Sequence, residues 1–78
     1  MSNIEIYKNA YVESFEIEID IVESLEYQSI PEWDSVGHMV LMSTLEEKFD
    51  IMLDMDDIID FSGFERGKEI LLKYDVKI

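Results

Sequence analysis

The chain has no cysteine, one proline, one histidine and only six basic residues among 78. Without cysteine there is no disulfide framework, no thiolate metal site and no cysteine nucleophile, so the core must hold without covalent staples. Six Lys and Arg against 19 Asp and Glu leave a formal charge of −13, which opposes approach to a phosphate backbone and excludes nucleic acid as a direct ligand. The same charge speeds encounter with proteins that carry basic patches, in a salt-sensitive way. No apolar run approaches the roughly 20 residues a membrane helix needs, and Met1-Ser2-Asn3-Ile4-Glu5 lacks the basic start and apolar stretch of a signal peptide. Absence of membrane insertion and a cytoplasmic location are the expectations.

What is present suffices for a single domain over residues 1–78. Hydrophobic residues make up 47% and aromatics 12%, enough material for a core and well outside disordered composition. A chain of this size removes only about 60% of its unfolded surface from water, which leaves little room for a deep catalytic cleft. A marginally stable monomer is expected.

Ile4, Tyr7, Tyr11 and Phe15 recur at spacings of three and four, predicting a helix that begins at Ser2 or Asn3 and ends at Ser14. Glu16-Ile17-Glu18-Ile19-Asp20-Ile21 alternates with period two, a strand signal. No second strand candidate of comparable strength exists to pair with it. The segment is therefore read as an extended loop whose isoleucines pin it to the core. Leu25 to Trp33 continues this connection, with Tyr27, Ile30 and Trp33 as further anchors. From Asp34 the pattern turns helical, with His38, Leu41, Met42, Leu45 and Phe49 on one stripe and Val36, Met39 and Val40 beside it, ending near Asp50. Met52 and Met55 are placed in a connection, and Asp56-Asp57-Ile58-Ile59-Asp60-Phe61 in a short third helix. Ser62 with Glu65 fits a capping box opening a last helix, with Phe64, Gly67, Ile70, Leu71 and Tyr74 on one face. Lys68 and Lys73 suit its C-terminal half through the helix dipole. The predicted fold is all-α, a four-helix bundle with a short third helix and a long loop between helices one and two.

Ser35 stands where the extended segment containing Pro31 gives way to the second helix, directly after Asp34, a residue suited to cap it. Its hydroxyl is expected to be exposed. An anion attached to it would face the helix's positive end and N–H groups with no partner inside the helix.

With these residues placed, the chain resembles the acyl carrier protein family, whose members present a serine in an Asp-Ser-Leu motif at the start of the second of four helices. Here the motif reads Asp34-Ser35-Val36, and Leu45-Glu46-Glu47-Lys48-Phe49-Asp50 is similar to the family's Leu-Glu-Glu-x-Phe-Asp run, followed by Asp56-Asp57. The resemblance covers essentially the whole chain. It implies that a phosphopantetheinyl transferase moves 4′-phosphopantetheine from coenzyme A onto Ser35, and that the arm's thiol holds acyl intermediates as thioesters. The chain itself would then be no enzyme. Further partners implied are an acyl-loading ligase or synthase and an acyltransferase with basic docking surfaces, met by Glu46, Glu47, Asp50, Asp56, Asp57 and Asp60. Three departures stand out: Val36 for Leu, Gly37-His38 after it, and Val40 where fatty-acid carriers place an acid. Gly37 costs the first turn up to about 1 kcal/mol relative to Ala, which points to a locally loose start or close approach by a partner. The Trp33-Asp34-Ser35-Val36-Gly37-His38 run resembles discrete carriers of specialised or surface-polysaccharide pathways.

Competing readings of the same residues are plain. Ser35 is alternatively an ordinary helix-capping serine. His38 lies one turn later and raises a Ser–His nucleophile pair, but no orienting acid or oxyanion site is apparent. Asp54, Asp56, Asp57 and Asp60 fall short of a calcium loop, since Ile58 occupies a ligand position and the required glycine is absent, so no metal site is expected. Met39, Met42, Met52 and Met55 are core filler or the lining of a cargo cavity between the second and third helices. At the level of function the alternatives are an aminoacyl or peptidyl carrier and, in a different class, an acidic interaction protein that masks a basic partner without a prosthetic group.

Overall fold

Ser2 opens the first helix with a capping box. Its hydroxyl accepts the Glu5 N–H, and the Glu5 carboxylate accepts the Ser2 N–H in return. In the computed structural model, which describes Met1–Ile78, this starts α1 (Asn3–Phe15). A 3-10 helix (Ile19–Ser24), α2 (Ser35–Phe49), α3 (Met55–Asp60) and α4 (Phe64–Leu72) follow, with no strand. Every regular element is helical.

The predicted apolar stripes meet in one core. Tyr7, Ala10, Tyr11 and Phe15 from α1 join Leu41, Met42 and Leu45 from α2 and Phe64, Ile70 and Leu71 from α4. Each large side chain so buried contributes roughly 1.5–3 kcal/mol. α1 and α4 come close at Gly67, where a Cβ would collide with the Tyr7 hydroxyl and the Phe61 ring. That hydroxyl donates to the Phe64 carbonyl at 2.7 Å and accepts from Tyr11 at 2.9 Å, so both buried phenols are satisfied. Burial pushes both phenols above their ordinary pKa.

The long connection departs from its predicted form. Ile19 and Ile21 do not pin it; both are exposed, while Val22 and Leu25 are buried and Ile17 is half-buried. The 3-10 helix, with three residues per turn, brings Val22 and Leu25 to one side and destroys the period-two alternation. Trp33 is fully buried against Phe15 and Tyr11, and Tyr27 is only half-covered. Further on, Leu25 and Tyr27 take backbone partners from the other end of the chain: Tyr27 N–H donates to Ser62 C=O at 2.9 Å and Phe64 N–H to Leu25 C=O at 3.0 Å, around an isolated bridge of Glu26 with Gly63.

That pairing also removes the expected capping box. Gly63, not Ser62, is the N-cap of α4, and it makes no side-chain cap; the Phe64 N–H is satisfied by the loop instead. α3 begins one residue earlier than predicted, so Met55 is helical. Lys73 does not serve the α4 dipole alone: it reaches back to Asp57 on α3.

Candidate functional site

Asp34 caps α2. Its Oδ1 accepts the Gly37 N–H at 2.8 Å and its carbonyl accepts the His38 N–H at 2.8 Å. Ser35 is therefore the first helical residue, exposed, with its Oγ 3.5 Å from the Tyr27 hydroxyl. The Ser35 and Val36 N–H groups find no acceptor in the chain. An exposed hydroxyl thus stands over two free backbone donors at the positive end of a 15-residue helix. Gly37 has a local reason other than looseness: the Glu32 carbonyl and the Phe15 ring occupy the place of its missing Cβ.

His38 is buried and its two ring nitrogens are both engaged. Nδ1 accepts the Trp33 indole N–H at 2.9 Å, which makes Nε2 the protonated nitrogen; it donates to the Ile58 carbonyl of α3 at 2.7 Å. Neither nitrogen is turned to Ser35, so the Ser–His nucleophile pair does not form.

Beside Ser35, a cleft of about 380 Å³ runs between α2 and α3, with Met39 and His38 on one wall and Met55, Ile58 and Ile59 on the other. Tyr27, Phe61, Ser35 and Ser62 complete it. Two of the four methionines expected here are elsewhere. Met42 belongs to the core and Met52 is 83% exposed outside the cleft. Tyr27, Ile58, Ile59 and Phe61 are lining residues that the methionine pattern does not point to; the signal in the sequence is the apolar pair Ile58-Ile59 inside an acidic six-residue helix. On the outer side of α2, Val36 is 73% exposed, and Met39 and Val40 are exposed with it.

The six acidic residues assigned to docking separate into two kinds. Asp57 is buried at 6% exposure, where it accepts from Lys73 Nζ and the Tyr74 hydroxyl. These donors hold its carboxyl below the usual carboxylate range, the Lys73 hydrogen bond being the larger cause. Glu46 points back to accept the Leu53 N–H at 2.8 Å, and Asp60 is paired with Arg66. Glu47, Asp50 and Asp56 are exposed and make no side-chain bond or ion pair within the chain. Lys8, Lys48, Arg66, Lys68 and Lys73 all pair with carboxylates other than these three, so Glu47, Asp50 and Asp56 keep their negative charge uncompensated. Asp54, Asp56, Asp57 and Asp60 do not converge into a metal-ligand set. No helix is long and apolar enough to cross a membrane.

No protein-family model, curated protein or solved structure matches the chain.

Proposed function

We propose that the chain is an acyl carrier of the four-helix kind, a monomeric cytoplasmic protein in which Ser35 bears a 4′-phosphopantetheine arm. The observation that carries this reading is the exposed Ser35 hydroxyl on the first turn of α2, at the rim of an apolar cleft. The residues present fit the group. The free Ser35 and Val36 N–H groups suit a phosphodiester oxygen, and Asp34 is turned to Gly37, so its carboxylate already has a hydrogen-bond partner. When attached, the arm supplies a terminal thiol that carries acyl groups as thioesters.

The chain's own residues bind and present. Ser35 needs exposure and no internal base, and with His38 fully engaged the proton of its hydroxyl leaves to the modifying enzyme. A flexible tether raises the effective concentration of cargo at each partner's active site. Met39, Met55, Ile58 and Ile59 offer an apolar bed for that cargo, which favours acyl over aminoacyl groups. Glu47, Asp50 and Asp56 supply the charge that guides a basic phosphopantetheinyl transferase, acyl ligase or acyltransferase, around the apolar Val36, Met39 and Val40. The Asp34-Ser35-Val36 motif and the Leu45 to Asp50 run support the same assignment.

Intact-protein mass spectrometry after incubation with coenzyme A and a broad-specificity phosphopantetheinyl transferase tests it. Wild type should gain one phosphopantetheine group and Ser35→Ala none. No gain in folded wild type with several transferases would replace the carrier by an acidic interaction module.

A further inference from the structure

α3 is a weakly held wall. It has six residues, far short of the length at which a helix is stable alone, and Asp57 is its one buried side chain. Polar contacts fasten it at two points. At its start Asp57 takes Lys73 and Tyr74, and the Tyr74 hydroxyl also accepts the Asp54 N–H at 2.9 Å. Near its end the Ile58 carbonyl receives His38 Nε2–H at 2.7 Å. Ile58 and Ile59 line the cleft on this same wall.

The second fastening does not stop at His38. The other ring nitrogen holds the indole of Trp33 at 2.9 Å, and the two rings lie nearly parallel, 17° apart, with centroids at 6.1 Å. Trp33 in turn fixes the loop immediately before Ser35: its N–H donates to Ile30 C=O at 3.1 Å and its C=O accepts the Gln28 N–H at 3.0 Å. One imidazole therefore joins the cleft wall to the segment that presents Ser35. Because the ring is rigid, its two nitrogens cannot be re-aimed independently. A displacement of Ile58 must be taken up at the Trp33 bond or break the Ile58 bond.

We propose that His38 is a positioning residue that couples occupancy of the α2–α3 cleft to Trp33 and the loop holding Ser35. An apolar ligand entering between Met39 and Ile59 displaces α3, and through His38 alters the setting of the indole. Linkage makes the effect reciprocal: whatever shifts the Trp33 loop changes the cleft's affinity by the same factor. For a carrier, a partner gripping the loop beside Ser35 would change how tightly the cleft holds cargo. That consequence rests on the carrier reading; the coupling itself does not.

The test uses the full chain without any arm, methyl-labelled at methionine and nitrogen-labelled at the indole, titrated with the neutral probe 1-hexanol and followed by NMR. The single tryptophan gives one indole signal. The Met39 and Met55 methyl signals and the Trp33 indole signal should shift along one binding curve in wild type. In His38→Phe, which offers neither nitrogen, the methyls should still titrate while the indole response loses most of its amplitude. His38→Gln, keeping one donor and one acceptor, should restore part of it. Methyls that titrate against a static indole in wild type would overturn the coupling, as would an undiminished indole response in folded His38→Phe. Methyls that never move would overturn it too, since the cleft would then admit no apolar ligand. A static indole in wild type overturns the coupling even if His38→Phe does not fold. A chain that refuses the arm from coenzyme A yet shows the joint titration loses the carrier assignment and keeps this one.

Discussion

The carbonyl oxygen of Glu32 lies against Gly37, in the space a Cβ would take, with the Phe15 ring on the same side. Intrinsic preference favours alanine over glycine inside a helix by about 1 kcal/mol. Here the obstacle is backbone, which cannot swing away as a side-chain tip can, and overpacking of this kind costs about 1–3 kcal/mol. Gly37→Ala should therefore lower stability by about 1 kcal/mol in urea unfolding, with shifted amide signals from Glu32 to Ser35. A more stable variant would mean that the loop before Ser35 gives way freely.

Asp57 makes part of the stability depend on acid. Its carboxyl is held below the ordinary range chiefly by the Lys73 hydrogen bond and then by Tyr74. A group depressed in the folded state stabilises above its unfolded value, and that contribution disappears as pH falls through the folded value. The acid limb should open at about pH 4–5, where free aspartate begins to protonate. Asp57→Asn should be less stable at neutral pH and nearly equal to wild type at low pH. Difference curves from denaturant melts isolate this effect from the general relief of repulsion in a chain of charge −13. Parallel curves for the two proteins would refute it.

Glu16 closes α1 in the left-handed region, at φ 56° and ψ 48°, a conformation that costs a non-glycine residue about 1–2 kcal/mol. Glycine removes that strain and returns part of the gain as unfolded-state entropy. Glu16→Gly should raise stability by about 0.5–1 kcal/mol, measured by thermal or urea unfolding at constant salt. A loss would show that the Glu16 side chain contributes more than its exposure indicates.

Glu46 and Glu47 are neighbours in sequence with opposite duties. Glu46 accepts the Leu53 amide, so Glu46→Ala should cost about 1 kcal/mol of stability and leave partner kinetics largely unchanged. Glu47→Lys should leave stability within about 0.5 kcal/mol and slow modification by a phosphopantetheinyl transferase, most at low salt. Transferase kinetics at two ionic strengths distinguish the pair. If Glu47→Lys changed nothing at either, the docking role of this face would be withdrawn.

Local signals carried the helices well. Spacing and capping residues placed α1 and α2 close to their observed bounds, and Asp34 does cap α2. What failed was non-local. The Ser62 hydroxyl was well placed for a capping box, yet the loop at Leu25 and Tyr27 claimed the neighbouring backbone groups. For Glu16 to Ile21 the lack of a partner strand rightly argues against a strand, but the isoleucines do not all pin the segment, because a 3-10 helix leaves Ile19 and Ile21 exposed. Asp57 reads like any exposed acid until Lys73 and Tyr74 fold over it. The cleft was half legible: Met39 and Met55 were named, whereas Tyr27 and Phe61 come from connections whose direction no period encodes.

The backbone pairing of Leu25 and Tyr27 with residues 62–64 also ties the surroundings of Ser35 to residues made later in synthesis. During synthesis Ser35 emerges long before Phe64, on a loop whose final partners have not yet been made. The turn at Gln28 to Trp33 closes on its own backbone, but the Leu25 carbonyl and the Tyr27 amide that lead into it find their partners only when residues 62–64 are present. A chain truncated before Ser62 would carry the motif on a loop missing two of its backbone partners, so that any attachment at Ser35 would draw on the finished molecule.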